Sequence, residues 1–215
     1  MDIKYIGHAS FLLKGKTATV ITDPFDPKMT GLSFPSLSAD IVTVSHEHKD
    51  HNYVKGIEGD PLIIRLPGEY EKKGVRVSGM STFHDDKNGK DAGRNTMFSI
   101  EIDGVHILHC GDLGHALSDE MVEEMEQVDV LLVPTGGTYT ISADEAVEVI
   151  KAIEPSFVIP MHYFHKKLKE DVFGKLSPVS TFLEKIGHPD VVPVRKLTVK
   201  KEDCTGDMKV VLMEY

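Results

Sequence analysis

The chain has 215 residues and a formal net charge of −10, with 24 Lys and Arg against 34 Asp and Glu. This length, at 40% hydrophobic residues, supports one substantial core, so a single domain over residues 1–215 is expected. The acidity argues against a nucleic-acid partner, and no stretch reaches the roughly 20 apolar residues of a membrane span. Cys110 and Cys204 are too few for a disulfide framework, and Met1–Ile6 enters a strand pattern without a secretory signal. Both features point to a cytoplasmic protein.

Three short strands open the chain, Ile3–Ile6, Ser10–Leu13 and Ala18–Thr22. Gly7-His8-Ala9-Ser10 forms the first turn. A turn histidine is ordinarily solvated, which is the first reading of His8; contact with substrate is the alternative. The third strand ends in Thr22-Asp23-Pro24. Asp23 is either a turn residue before proline or a carboxylate that orients a metal-binding histidine. From Phe25 to Ser38 the chain reads as a long ordered loop, and loops of that length are often functional.

The apolar run Ala39–Val44 then leads into Ser45-His46-Glu47-His48-Lys49-Asp50-His51. In extended backbone, side chains two apart share a side, so His46 and His48 can pinch one cation. If the chain turns after His48, Asp50 and His51 swing toward a second cation beside the first. Imidazole with carboxylate suits Zn, Mn or Fe.

Leu62-Ile63-Ile64 is apolar, Pro67–Tyr70 reads as a turn, and a β pattern from Gly74 runs into Thr82-Phe83-His84. A polar, glycine-containing loop, Asp85–Asn95, follows. Thr96–Ile102 and Val105–His109 form a hairpin at Asp103-Gly104 that delivers Cys110-Gly111-Asp112. Three strands thus end in a candidate ligand, which is the pattern of a site built at a sheet edge. On the Val105–His109 strand, His106 reads as exposed and His109 as a buried, satisfied histidine. Cys110 reads as a small core residue.

Beyond this point helices alternate with strands. Ser118-Asp119-Glu120 opens a helix, and Ser142-Ala143-Asp144-Glu145 is a capping box for a helix to Ile153. Val128–Val133 and Ser156–Ile159 are buried strands, the second stopping at Pro160-Met161-His162. Ser177-Pro178 starts a helix that ends before Gly187, and Val192–Val199 and Met208–Met213 close the chain as strands. Two sheets of this kind require helix cover, giving an α/β layered solution.

The order and spacing of these strand-end residues resembles the metallo-β-lactamase superfamily over nearly the whole chain. Gly7–Ser10, Asn95-Thr96, Gly111–His115 and Pro160–Tyr163 look most like the small hydrolases related to L-ascorbate-6-phosphate lactonase. The resemblance implies a four-layer αββα sandwich of two mixed β-sheets flanked by helices. It further implies that one metal takes His46, His48 and His84, that the other takes Asp50, His51 and His162, and that Asp112 bridges them.

Two divalent cations, with Zn the first expectation and Mn or Fe as substitutes, can share a water and lower its pKa toward 7. The expected activity is hydrolysis of a small ester, lactone or phosphodiester, with Asp50 either a ligand only or also a proton relay. Iron redox chemistry on the same fold is the alternative, and a nuclease is a weaker one for want of a basic arm. The partner expected is a small, anionic molecule, with a homo-oligomer compatible with the sequence. The loops Phe25–Ser38 and Asp85–Asn95 are expected to border the site. Phe25, Met29, Leu32 and Phe34 serve either as a pocket wall or as core, and Lys87, Lys90, Arg94 and Asn95 either as anion donors or as solvated residues. His115 is a further candidate for substrate contact.

Overall fold

The computed structural model describes residues 1–215 and contains two principal β-sheets. The first runs Leu197–Thr198, Asp2–Gly7, Ser10–Lys14, Thr19–Thr22, Ile41–Thr43, Leu62–Ile64 across its width. The second runs Lys209–Val210, Phe157–Met161, Val130–Pro134, Val105–His109, Arg94–Ile102, Val75–Phe83, Gly68–Lys72. Leu37–Ser38 and Ile57–Glu58 make a separate parallel pair.

Alternation along the first sheet assigns its two faces. Ile3, Phe11, Leu13, Val20, Ile41 and Ile64 join the large core shared with the second sheet. Ile21, Val42 and Val44 point the other way, into a smaller cluster with Phe25, Leu32, Leu168 and Phe173. Ile41 and Val42 are both fully buried, as a central strand covered on both faces requires. Truncating Ile41 to alanine would cost about 2–5 kcal/mol.

The helix Ala143–Ile153 covers the outer face of the second sheet beside the helix Val179–Lys185. Its capping box forms: Ser142 N–H donates to Glu145 Oε2 (2.7 Å) and Glu145 N–H to Ser142 Oγ (3.3 Å). The outer face of the first sheet carries only the one-turn helices Pro27–Thr30 and Glu170–Phe173 with their loops. The four-layer αββα arrangement is therefore present, with a thin outer layer on that side.

Two expectations shorten. In place of Val192–Val199 only Leu197–Thr198 is a strand, and in place of Met208–Met213 only Lys209–Val210. Pro193 has no N–H for a ladder and Val192 is exposed, so beyond the short strands only an isolated bridge between Val194 and Met213 remains. Conversely, Pro67–Tyr70, expected as a turn, runs into the strand Gly68–Lys72, which pairs antiparallel with Val75–Phe83.

Strand direction sets the position of the site. Thr19–Thr22, Ile41–Thr43 and Leu62–Ile64 are mutually parallel, as are Val105–His109, Val130–Pro134 and Phe157–Met161. Asp2–Gly7 lies two antiparallel steps from Thr19–Thr22, and Val75–Phe83 two antiparallel steps from Val105–His109. Both therefore end at the same edge as the parallel strands. Loops at the carboxyl ends of such strands are where α/β sheets build their sites.

Candidate metal centre

The loop after Ile41–Thr43 carries four of the candidate ligands. His51 N–H donates to the His48 carbonyl (3.0 Å), closing a turn that brings Asp50 and His51 round to the His46 side. His46, His48 and His84 offer nitrogens within 4.8 Å of one another. So do the ligand atoms of Asp50, His51 and His162, together with His8. Between the two groups stands Asp112. Its Oδ2 lies 3.0 Å from His84 Nε2, 3.3 Å from His51 Nε2, 3.3 Å from His162 Nε2 and 3.7 Å from His46 Nε2. All seven expected ligands are thus brought together, and all but His48 are buried.

Asp23 explains how two of the imidazoles are aimed. Its Oδ1 accepts the Ser45 backbone N–H (2.7 Å), and its Oδ2 accepts both the Ser45 hydroxyl (2.5 Å) and His51 Nδ1–H (2.8 Å). The Ser45 oxygen in turn accepts from His46 Nδ1 at 2.9 Å. Both Nδ1 protons are committed away from the cluster, so the Nε2 lone pairs of His46 and His51 face inward. Asp23 therefore takes the orienting role, at a left-handed φ of 36°.

The donor set fits a cation. His51 Nε2 and Asp112 Oδ1 are buried without hydrogen-bond partners. Each such atom costs about 1–3 kcal/mol in a folded protein, and cations held between the two groups would satisfy both. The electrostatics agree. Burial opposes charge on Asp112, yet His162 and His51 hold its carboxyl well below the usual range. Asp50 behaves similarly through His51 and His8. Burial, then the neighbouring His51, leaves His46 at about 3, neutral as a ligand must be. On His51, burial is outweighed by the charges of Asp112 and Asp50 and by the hydrogen bond to Asp23, which raise it well above the ordinary imidazole value. Buried carboxylates here attract positive charge.

The family model for the beta-lactamase superfamily domain matches residues 2–162. The chain belongs to the metallo-β-lactamase superfamily. A UPF0173 metal-dependent hydrolase of Thermoplasma acidophilum is 34% identical over 188 residues, covering 76% of this chain and 83% of that protein. A crystal structure from Thermotoga maritima, described as a Zn-dependent hydrolase of the metallo-β-lactamase superfamily, shares 39% identity. It superposes with a TM-score of 0.80 over 99% of this chain and 97% of its own. A metallo hydrolase of Ignicoccus hospitalis, 22% identical with a TM-score of 0.64 over 93% and 99% of the two chains, shares the fold.

None of the four residues named for substrate contact, His8, Arg94, Asn95 and His115, lines the cleft over the cluster. His8 is not solvated: its side chain is buried and its Nε2 lies 3.0 Å from Asp50 Oδ2. Asn95 is fully buried and structural. Its Nδ2 donates to Thr82 Oγ1 (2.8 Å) and the Cys110 carbonyl (2.9 Å), while its Oδ1 accepts the Asp112 N–H (3.0 Å). Asn95 therefore fixes the backbone that presents Asp112. Gly111 belongs to the same device: at φ 55°, a Cβ there would lie 2.4 Å from Asn95 Oδ1 and 2.6 Å from Ser45 Cβ. His115 is held by backbone, its Nδ1 donating to the Ala116 carbonyl (2.7 Å) and its Nε2 accepting the Phe83 N–H (3.2 Å). Arg94 is exposed and lies off the cleft.

That cleft, about 850 Å³, opens over the cluster and exposes His48, Asp50, His84, Asp112 and His162. Met29, Tyr139, Val172 and Phe173 give the cleft an apolar lining, and Asp85, Asp86 and Asp91 line it as well. Of the expected apolar loop residues only Met29 reaches the cleft, because Phe25, Leu32 and Phe34 pack in the smaller core. Lys87 and Lys90 do not line it either; Lys87 is paired with Asp91 at 2.5 Å. Asp85 organises this loop by accepting the backbone N–H groups of Lys87, Gly89, Asp91 and Ala92. Tyr139, Val172 and Glu145 come from segments with no sequence signal for a site.

Proposed function

We propose that this chain is a metal-dependent hydrolase with two divalent cations, one held by His46, His48 and His84 and the other by Asp50, His51 and His162, with Asp112 shared between them. The observation that carries this reading is Asp112 Oδ2, set among four inward-facing imidazole nitrogens from three loops. Bound there, such cations supply Lewis acidity and a water acidified toward neutral pH. Zinc suits the imidazole-rich set, and the Thermotoga maritima relative is described as zinc-dependent.

The protein's own groups do the rest. Asp23 and Ser45 lock the tautomers of His51 and His46. Asn95 and Gly111 hold the Asp112 loop. Asp50 lines the cleft with its Oδ2 fixed by His8, and it is the carboxylate positioned to pass a proton to a leaving group. The apolar lining excludes water and seats a hydrocarbon or aromatic group of a small substrate.

The cleft favours an uncharged ester or lactone over a phosphodiester. Lys49 is its only lysine or arginine, whereas Glu47, Asp85, Asp86, Asp91 and Glu145 border it. This departs from the expectation of an anionic substrate, which rested on Lys87, Lys90 and Arg94. The test is a panel of lactones, carboxylic esters and phosphodiesters, assayed on chelator-stripped protein before and after reconstitution with Zn, Mn or Fe. Hydrolysis that appears only with metal supports the reading. Equal hydrolysis by stripped protein would overturn it.

A further inference from the structure

We infer that His8 is a positioning residue for the second cation site, acting through the Asp50 carboxylate. The inference rests on the two-cation reading. Strand direction brings His8 there: Asp2–Gly7 ends at the same edge as Thr19–Thr22, so the residue after Gly7 meets the metal cluster. His8 adopts a left-handed φ of 56° and is 2% exposed. Its backbone carbonyl accepts the Tyr5 hydroxyl (2.9 Å) and the His162 N–H (2.8 Å). Its ring centre lies 4.1 Å from that of His162 and 5.2 Å from that of His51. Its Nε2 reaches Asp50 Oδ2 at 3.0 Å. Apart from the Tyr5 hydroxyl, each of these contacts is to a proposed ligand of the second position; none is to His46, His48 or His84.

The chemistry of the ring narrows its role. An ionised carboxylate only accepts, so the His8 proton sits on Nε2 and is donated to Asp50. Nδ1 is then a bare lone pair, buried and without a partner. A side chain present only for packing would not carry that penalty, and a phenyl ring would fill the same volume. What the imidazole adds is one directed hydrogen bond that occupies Oδ2 and fixes the carboxylate plane. Partners that orient a metal ligand in this way are worth about 10–100-fold in affinity.

The test is zinc binding by competition with a fluorescent chelator, with zinc counted by mass spectrometry, in wild type and in His8→Asn. Asparagine tolerates the left-handed backbone and is too short to reach Asp50. The first equivalent is expected to bind within about twofold of wild type and the second about 10–100-fold more weakly. His8→Gly, which also suits the backbone, should recover the second equivalent when millimolar imidazole is added. Both variants should retain a cooperative melting transition. Wild-type affinity for both equivalents in His8→Asn, or equal weakening of both, would overturn the role of His8. A wild-type protein that binds only one equivalent would instead defeat the two-cation reading, and His8 with it.

Discussion

Asp23 Oδ2 and His51 Nδ1 lie 2.8 Å apart, and neither side chain has any solvent exposure. The pair joins the end of one central strand to the Ser45–His51 loop of its neighbour, and the same carboxylate holds Ser45 through two further hydrogen bonds. Asp23→Asn keeps the shape but puts a donor where an acceptor is needed. Zinc affinity is expected to fall by about 10–100-fold. The melting temperature of the metal-free protein should also fall, because a buried polar partner is left unmatched. Titration with a competing chelator and a thermal melt measure the two effects separately, and an unaltered zinc affinity would refute the orienting role.

His48 differs from the other proposed ligands in being exposed. His48→Ala should abolish hydrolysis while shifting metal-free stability by no more than about 0.5 kcal/mol, as surface substitutions do. His51→Ala leaves the buried Asp23 charge with only its Ser45 hydrogen bonds, and is expected to destabilise by about 3–5 kcal/mol. Denaturant melts of the two metal-free variants decide; equal losses would contradict the contrast.

Asn95 and Arg94 are neighbours with opposite fates. Arg94→Ala should leave both metal content and kinetic constants unchanged. Asn95→Ala removes three hydrogen bonds around Asp112, should cost about 1–3 kcal/mol and should lower bound zinc. A variant with full zinc and altered substrate preference would return Asn95 to the cleft.

Much of this site is legible in the sequence because the candidate ligands follow readable strands and because His-x-His-x-Asp-His packs four of them into one loop. His84, Asp112 and His162 each follow a readable strand. His8 was legible in principle: the first and third strands of an antiparallel trio end at one edge, so His8 and Asp23 emerge on the same side of the sheet. A lone histidine in a glycine turn carries no such information until strands are paired. Asn95 follows the same logic, since a strand residue is exposed or buried according to register with Thr82, which the sequence does not state. The charges of the Asp85–Asn95 loop misled for a different reason. Its carboxylate Asp85 gathers the backbone inward, and the lysines are left outside.

Cys110 offers a test with a pH dependence. Burial alone pushes its thiol from 9 up to about 12, so the thiolate is absent at pH 9 in the folded protein. The unfolded chain ionises first, so this group's contribution to stability is intact below pH 9 and is lost as pH rises toward 12. Alkylation of Cys110 by iodoacetamide at pH 9 should therefore proceed only at the rate of opening and accelerate in denaturant. Rapid alkylation of native protein would show a reactive thiol, and with it a nucleophile that the present mechanism does not use.

The number of zinc ions bound per chain, counted after chelator stripping and reconstitution, tests the central claim most directly. Two tightly bound equivalents are expected, with hydrolysis restored by zinc and both equivalents weakened in Asp112→Ala, because Asp112 Oδ2 lies within 3.7 Å of imidazoles from both groups. A single equivalent in the wild type, or two that survive loss of Asp112 with unchanged affinity, would contradict it.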